Sequence, residues 1–447
     1  MKKNNRFSLL LAVALACAVT SHSQTVMTLK ECVQAARKNN IMVKNTYNDL
    51  QMAREQQEYA RSKYLPTVGA SAFHFEAVDE LIKYRILDKE DVEILSEGME
   101  HPFTVDDFTL SFIKKGSSLG VSFLQPVYTG GRLTNYNKLA DLQVDARNML
   151  MEVTDDKVVL ATEFLYYKIV ELHETDKTLD AMEKSLALIH QDAVNIYENG
   201  LTNKNDVLSV ELMQDDLSSL RIRTQNTCKL LRRALAKHIG IADKDIDVDM
   251  TLDADIVEPE TLRMSTQSAI NNRTETQLLD IWVEKSVLER KIAKANMLPV
   301  VVVGARAGYS KLLSHWDGNI IGFVGVQIPI SPFWSEKHEY KRKMIEEQKA
   351  IDLRQDNLET MTLEIQDAYD NLESTYRQML IAEKSVTRAE ENLRICREHY
   401  RNGLSTMTVL LDAQRQQQQA LTQRNSAISE YLQAKTRYLI VTGRRTY

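Results

Sequence analysis

Met344, Ile351, Leu358, Ile365, Leu372, Met379, Val386, Leu393 and Tyr400 occupy successive positions of a strict seven-residue spacing. In the N-terminal half Val144, Met151, Val158, Leu165, Leu172, Leu179 and Leu186 do the same. An apolar heptad sustained this long specifies a supercoiled helix packed along its length against neighbours. From Lys341 to Asn402 such a helix extends about 90 Å at about 1.5 Å per residue, too long for a compact globule. With 15 glycines and 7 prolines in 447 residues, little interrupts helices of this kind.

The two heptads belong to a duplication. TLKECVQAARKNN at 28–40 aligns with TLRMSTQSAINNR at 261–273, and YLPTVGASA at 64–72 with MLPVVVVGA at 297–305, both at an offset of 233 (261 − 28, 297 − 64). SFLQPVY at 122–128 aligns with GVQIPIS at 325–331, and ENGLTNKNDVL at 198–208 with RNGLSTMTVLL at 401–411, at an offset of 203 (325 − 122, 401 − 198); Gly240 then falls on Gly443. The offset changes between the two prolines of each half, so the first half carries an insertion, with its core at 76–107.

Each half reads as helix, proline, strand, loop, strand, proline, very long helix, Asn-Gly turn and long helix. The expected strands are 67–75, 118–127, 300–309 and 320–330, each near the ten residues that a tilted strand needs to cross a bilayer. Their alternation is imperfect, and buried core strands would look similar. The expected fold class is mainly α with a small β part, in two tandem repeats. The expected division is a signal peptide at 1–23, a first repeat at 24–240 with its helical hairpin at 128–240, an acidic linker at 241–260, and a second repeat at 261–447 with its hairpin at 335–443. Asn-Gly-Leu marks the far end of each hairpin, because glycine tolerates the left-handed backbone that ends a helix. If the four strands enter a membrane they cannot close a barrel alone, since about eight are needed, and open edges cannot face lipid. Three chains would supply twelve strands.

The N-terminus has the three parts of a secretory signal: Lys2, Lys3 and Arg6, an apolar run from Phe7 to Val19, and small residues before Gln24. Cys17 only faintly resembles a lipidation site, because Ala14 stands where a larger aliphatic is expected. Cys32, Cys228 and Cys396 lack metal spacing, and disulfides do not build this fold. A net charge of −6 with dispersed basic residues excludes a nucleic-acid partner.

Candidate chemistry is weak. GSSLG at 116–120 fits G-x-S-x-G with Ser118 as nucleophile, but strand-like residues follow where that motif requires a helix. DKDIDVD at 243–249 begins like a calcium loop, yet Val248 replaces the turn glycine and Ala254 the closing glutamate. No H-E-x-x-H occurs. The expectation is no enzyme, no cofactor and no metal.

LQPVYTGGRL at 124–133 and YRNGLSTMTVLLDAQ at 400–414, in this duplicated setting behind a signal peptide, resemble the TolC-like outer-membrane efflux proteins of Gram-negative bacteria. Val409 departs from that family's pattern, which has aspartate there; the first copy, YENGLTNKNDVLSVE, keeps Asp206 but has Asn203 for a serine. The resemblance implies a homotrimer in the outer membrane, with a twelve-stranded β-barrel continued by a helical α-barrel in the periplasm. It implies a passive exit duct of a tripartite efflux or type I secretion-like system, docked to a periplasmic adaptor (membrane fusion) protein and an inner-membrane pump of RND or ABC type. Adaptor-contact tips would be Gly200 and Leu201 in one hairpin and Gly403, Leu404 and Ser405 in the other. Asp206 and Asp412 would stand at the periplasmic aperture. The alternative is an exported coiled-coil scaffold or adhesin without channel activity, which explains the heptads but not the paired strands.

Overall fold

The computed structural model describes residues 25–79, 81–96, 109–112, 114–200, 202–242, 246–249, 256–311 and 315–444. The expected signal segment, Cys17, Leu201 and residues 80 and 97–107 of the insertion lie outside them. In chain order the elements are β1 (Thr25–Met27), α1 (Leu29–Asn39), α2 (Ile41–Ser62), β2 (Thr67–Glu76), β3 (Ile82–Arg85), α3 (Lys89–Ser96), β4 (Thr109–Phe112), β5 (Lys115–Tyr128), α4 (Arg132–Glu198), α5 (Lys204–His238), β6 (Ile246–Val248), α6 (Pro259–Leu262), α7 (Thr266–Asn272), α8 (Thr274–Ala295), β7 (Val300–Lys311), β8 (Asp317–Gln327), α9 (Glu336–Arg401) and α10 (Met407–Val441). The chain is thus mainly α with a small β part. Among the described residues no helix is long and apolar enough to cross a membrane.

The chain forms two compact units. One comprises residues 1–51, 145–280 and 352–447; the other comprises 52–144 and 281–351. Each draws on both repeats.

In the first unit the heptads bury themselves. Leu179 and Leu186 of α4, Val210 and Leu217 of α5, Leu393 and Tyr400 of α9 and Met407 and Leu410 of α10 share one core, so both hairpins pack together near their turns. A second core joins α9 to α10 through Leu372, Met379, Tyr431 and Tyr438. A third gathers Cys32 and Ala36 of α1, Val158 and Ile169 of α4, Leu235 of α5 with the following Ile239, and Ile246 and Val248 of β6. β6 lies within the stretch expected as an acidic linker and pairs in parallel with β1. Asp247 there is held by Arg232 at 2.9 Å, which gives the would-be calcium stretch a structural role.

The repeats diverge at their first helices for a readable reason. Thr28 accepts a hydrogen bond from the Glu31 backbone N–H while the Glu31 carboxylate accepts from the Thr28 N–H, a reciprocal cap that starts one continuous helix. At the aligned position of Glu31 the second repeat has Met264, which cannot reciprocate. The chain breaks there into α6 and α7, and Ser265 caps the latter.

The second unit holds a four-stranded antiparallel sheet in the order β2-β5-β7-β8. Each repeat contributes one hairpin, and β5 of the first pairs with β7 of the second. β5 begins at Lys115, three residues before the expected start. The insertion carries β3 and β4, which pair with each other, and the short helix α3.

Candidate functional site

Register sorts the sheet into two faces, because directly opposed residues point the same way and successive residues alternate. One face consists of the rows Val68–Phe123–Ala305–Gly322, Ala70–Val121–Ala307–Ile320 and Ala72–Leu119–Tyr309–Gly318. Every side chain in them is apolar or tyrosine. The next row contains Gln125, whose amide is bound by the carbonyls of Tyr64 and Pro126, beside Val303 and Val324. The other face consists of Thr67–Leu124–Gly304–Phe323, Gly69–Ser122–Arg306–Ile321, Ser71–Gly120–Gly308–Asn319 and Phe73–Ser118–Ser310–Asp317. It mixes hydroxyls, an amide, charges and glycine with a few aromatics.

The apolar face is uncovered within the chain: Val68 is 64% exposed, Ile320 83% and Val324 71%. Water does not favour such a face, and hydrocarbon does. Tyr309 and Tyr128 stand toward its two ends, where amphipathic rings suit a membrane interface. Nine positions separate Leu119, opposite Tyr309, from Tyr128 (128 − 119). That is about 30 Å along the strand, or about 22 Å of membrane thickness at a tilt of about 45°. Ser118 sits within β5 on the mixed face, between Phe73 and Ser310, with no elbow to present it as a nucleophile.

The hairpin ends form the second candidate site, and the first unit contains both. Gly200 and Gly403 adopt φ of 71° and 69°. At Gly403 the N–H donates to the Tyr400 carbonyl at 3.0 Å and the next N–H, of Leu404, to the His399 carbonyl at 2.8 Å, which satisfies the last carbonyls of α9. A side chain at either glycine would meet nothing within 4 Å. Leu404 is 73% exposed and Ser405 is half-buried. Gly240 and Gly443 also adopt positive φ, 75° and 72°, yet each is pressed against an asparagine, Asn39 and Asn272 respectively. Four similar sequence signals therefore make two kinds of end: two open and two packed.

Asp206 lies in the first turn of α5, where its carboxylate accepts from the Thr202 hydroxyl. Asp412 lies on α10 and accepts from the Arg415 guanidinium and, at 2.7 Å, from the Gln416 amide. The Arg415 hydrogen bond holds the Asp412 carboxyl below its ordinary value of 3.8. Asp412 also lines a cleft between α5 and α10 with Ser209, Met213, Asp216 and Thr408. No hydrogen bond joins Asp206 to Asp412 among the described residues.

Arg415 was absent from the sequence expectation, although a basic residue three positions after an aspartate on a helix is a legible pair. Other members had no local signal. Arg401 pairs with Asp192 at 3.2 Å, and Arg397 donates to the Ser185 hydroxyl at 2.6 Å, linking α9 to α4 across more than 200 residues of sequence. The Tyr400 phenol is buried without a hydrogen-bond partner, and burial, then the charges of Asp206 and Asp192, raise its pKa.

Residues 266–443 match the family model described as Outer membrane efflux protein. No curated protein matches the chain by sequence. Among solved structures, the fold is similar to the outer membrane protein VceC of Vibrio cholerae (16% identity, TM-score 0.73, covering 93% of this chain and 96% of that one). It is similar to the CmeC outer membrane channel of Campylobacter jejuni (14%, TM-score 0.77, 93% and 85%). It is also similar to the open state of the MtrE outer membrane channel of Neisseria gonorrhoeae (15%, TM-score 0.72, 93% and 89%). Such identities carry the fold, and the family match carries the second repeat. A sheet bearing one lipid-compatible face, a match of residues 266–443 to the outer membrane efflux protein family, and a fold similar to that of outer-membrane channels over nearly the whole length thus coincide in this chain.

Proposed function

We propose that three copies of this chain close a twelve-stranded barrel in the outer membrane and serve as the passive exit duct of a tripartite export assembly. The observation that carries this reading is the strand order. β2 and β8 are left as open edges, and the order β2-β5-β7-β8 repeats one hairpin type twice. The β5–β7 pairing within a chain is then a template for β8 pairing with β2 of the next copy. Three copies continued this way close the ring and leave no edge to lipid. The division into two tandem repeats, with each hairpin an outgoing and a returning helix, belongs to the same reading.

The open turns at Gly200–Leu201 and Gly403–Leu404–Ser405 are the contact points for a periplasmic adaptor, which couples the duct to an inner-membrane pump. The open space at Gly200 and Gly403 and the exposure of Leu404 support this. Asp206 and Asp412 are assigned to the aperture near those turns. Arg415 reduces the net charge that Asp412 brings, so an Asp412 ring is a ring of ion pairs rather than of bare carboxylates.

The test is outer-membrane fractionation, the mass of the detergent-solubilised assembly, and conductance in planar bilayers. The expected result is an outer-membrane particle near three chain masses that conducts ions. A soluble, non-conducting particle would instead support the exported scaffold.

A further inference from the structure

Arg306 is the one charged side chain in the middle of the mixed face of the sheet. It stands in the row Gly69–Ser122–Arg306–Ile321, flanked along β7 by Gly304 and Gly308. Its guanidinium stem lies over Gly120, where a Cβ would come within 3.4 Å of Arg306 Nε and 3.2 Å of the Ala307 carbonyl. A Cβ at Gly308 would come within 2.8 Å of the Leu119 carbonyl. Small residues thus leave the long side chain room on the sheet surface. Among the described residues Arg306 makes no hydrogen bond and no ion pair, and it is exposed. The other charge in these rows, Asp317, is four positions beyond Ile321 on β8, about 13 Å along the strand, and faces His315 at 3.2 Å. A guanidinium is ionised at every physiological pH.

An unpaired cation held on the wall of an aqueous channel acts on the charged groups that pass near it. Low-dielectric walls focus its field and raise the local concentration of the opposite sign. We propose that Arg306 is a selectivity residue of the barrel: one guanidinium per chain favours the passage of anionic groups, carboxylates or sulfonates, over cations of similar size. This rests on the barrel reading above, with the mixed face lining the interior.

The test places a cysteine beside it, at Ser122, the residue opposite Arg306 in the register. Reaction rates of Ser122→Cys with an anionic and with a cationic water-soluble methanethiosulfonate are measured on the trimer in membranes, with the parent chain's background subtracted. Val121→Cys, on the apolar face, is the companion. The barrel reading predicts that Ser122→Cys reacts and Val121→Cys does not; the reverse overturns both that reading and this inference. The ratio of anionic to cationic rates at Ser122→Cys is expected to fall roughly tenfold when Arg306→Gln is added and to be retained with Arg306→Lys. An unchanged ratio in Arg306→Gln, with Ser122→Cys still reactive, overturns the role of Arg306 and leaves the barrel standing. Equal loss in Arg306→Lys and Arg306→Gln would mark a packing effect and overturn it as well.

Discussion

Four glycines with positive φ sit at helix ends, and what surrounds each one separates their roles. At Gly200 and Gly403 an added Cβ would meet only the backbone strain, on the order of 1 kcal/mol. At Gly240 it would come within 2.4 Å of Asn39 Cβ, and at Gly443 within 2.7 Å of Asn272 Cβ, with backbone atoms close behind. That clash adds about 1–3 kcal/mol. Gly240→Ala and Gly443→Ala should therefore lower the melting temperature of the purified assembly clearly more than Gly200→Ala or Gly403→Ala; equal shifts would mean that the packed and open ends are not different in kind. At Asp412 the depressed carboxyl pKa means that the group stays ionised as pH falls, with loss of charge only below its ordinary 3.8. Any cation preference that it contributes should persist from pH 7 to pH 5 in bilayer recordings. Asp412→Ala should lower that preference and Arg415→Ala should raise it. If both leave the reversal potential unmoved, the aspartate is not at a constriction.

Elements set a second class of consequence, because a strand's face and a hairpin's end are properties of several residues together. Arginine on the lipid face of a membrane strand costs about 2–4 kcal/mol near the midplane, whereas the interior face tolerates it. Val121→Arg should thus deplete outer-membrane assembly strongly, and Ser71→Arg on the mixed face should not, as read by immunoblot of fractionated membranes. The hairpin end makes a parallel case. Gly403→Pro and Leu404→Asp alter a turn where a Cβ at Gly403 would meet nothing within 4 Å and Leu404 is exposed. Export by intact cells should be abolished while assembled particles remain in the outer membrane; preserved export in both variants would remove the turn from the adaptor contact. How much of this was legible differs by element. The existence of the four strands followed from prolines and small β-prone residues. Their faces did not, because Gly and Ala blur the alternation along one strand, and only four strands in register show that Ala70, Val121, Ala307 and Ile320 lie side by side.

For the whole molecule, the heptad that begins the sequence argument is only partly consumed inside one chain. Ile365, Leu372, Met379, Val386, Leu393 and Tyr400 are buried, but Met344 is 48% exposed and Ile351 43%. Those two continue the same spacing, and the proposed assembly gives them an apolar neighbour from another copy as it gives strands to the open edges of β2 and β8. Met344→Glu combined with Ile351→Glu should therefore weaken association between copies while leaving each chain's helical content unchanged. Light scattering and circular dichroism would check this pair of outcomes, and undiminished trimers would place those positions elsewhere than an interface.

Heptad spacing, the duplication, the helix-ending glycines and the strand-bounding prolines are written in residues close along the chain, so the sequence by itself determined a duplicated, mainly helical protein with four short strands in its sheet. Local chemistry also predicts the reciprocal cap at Thr28 and the Asp412–Arg415 pair, since both join residues three apart. The tertiary structure decided what depends on distant partners: that β5 pairs with β7 across the repeats, that Gly240 is packed while Gly403 is open, that Arg401 meets Asp192, and that Arg306 lies on the mixed face of the sheet beside Ser122 and Ile321. The physical reason is the same in each case. Conformational preference is local, whereas burial, register and charge pairing belong to neighbours that the fold alone brings together.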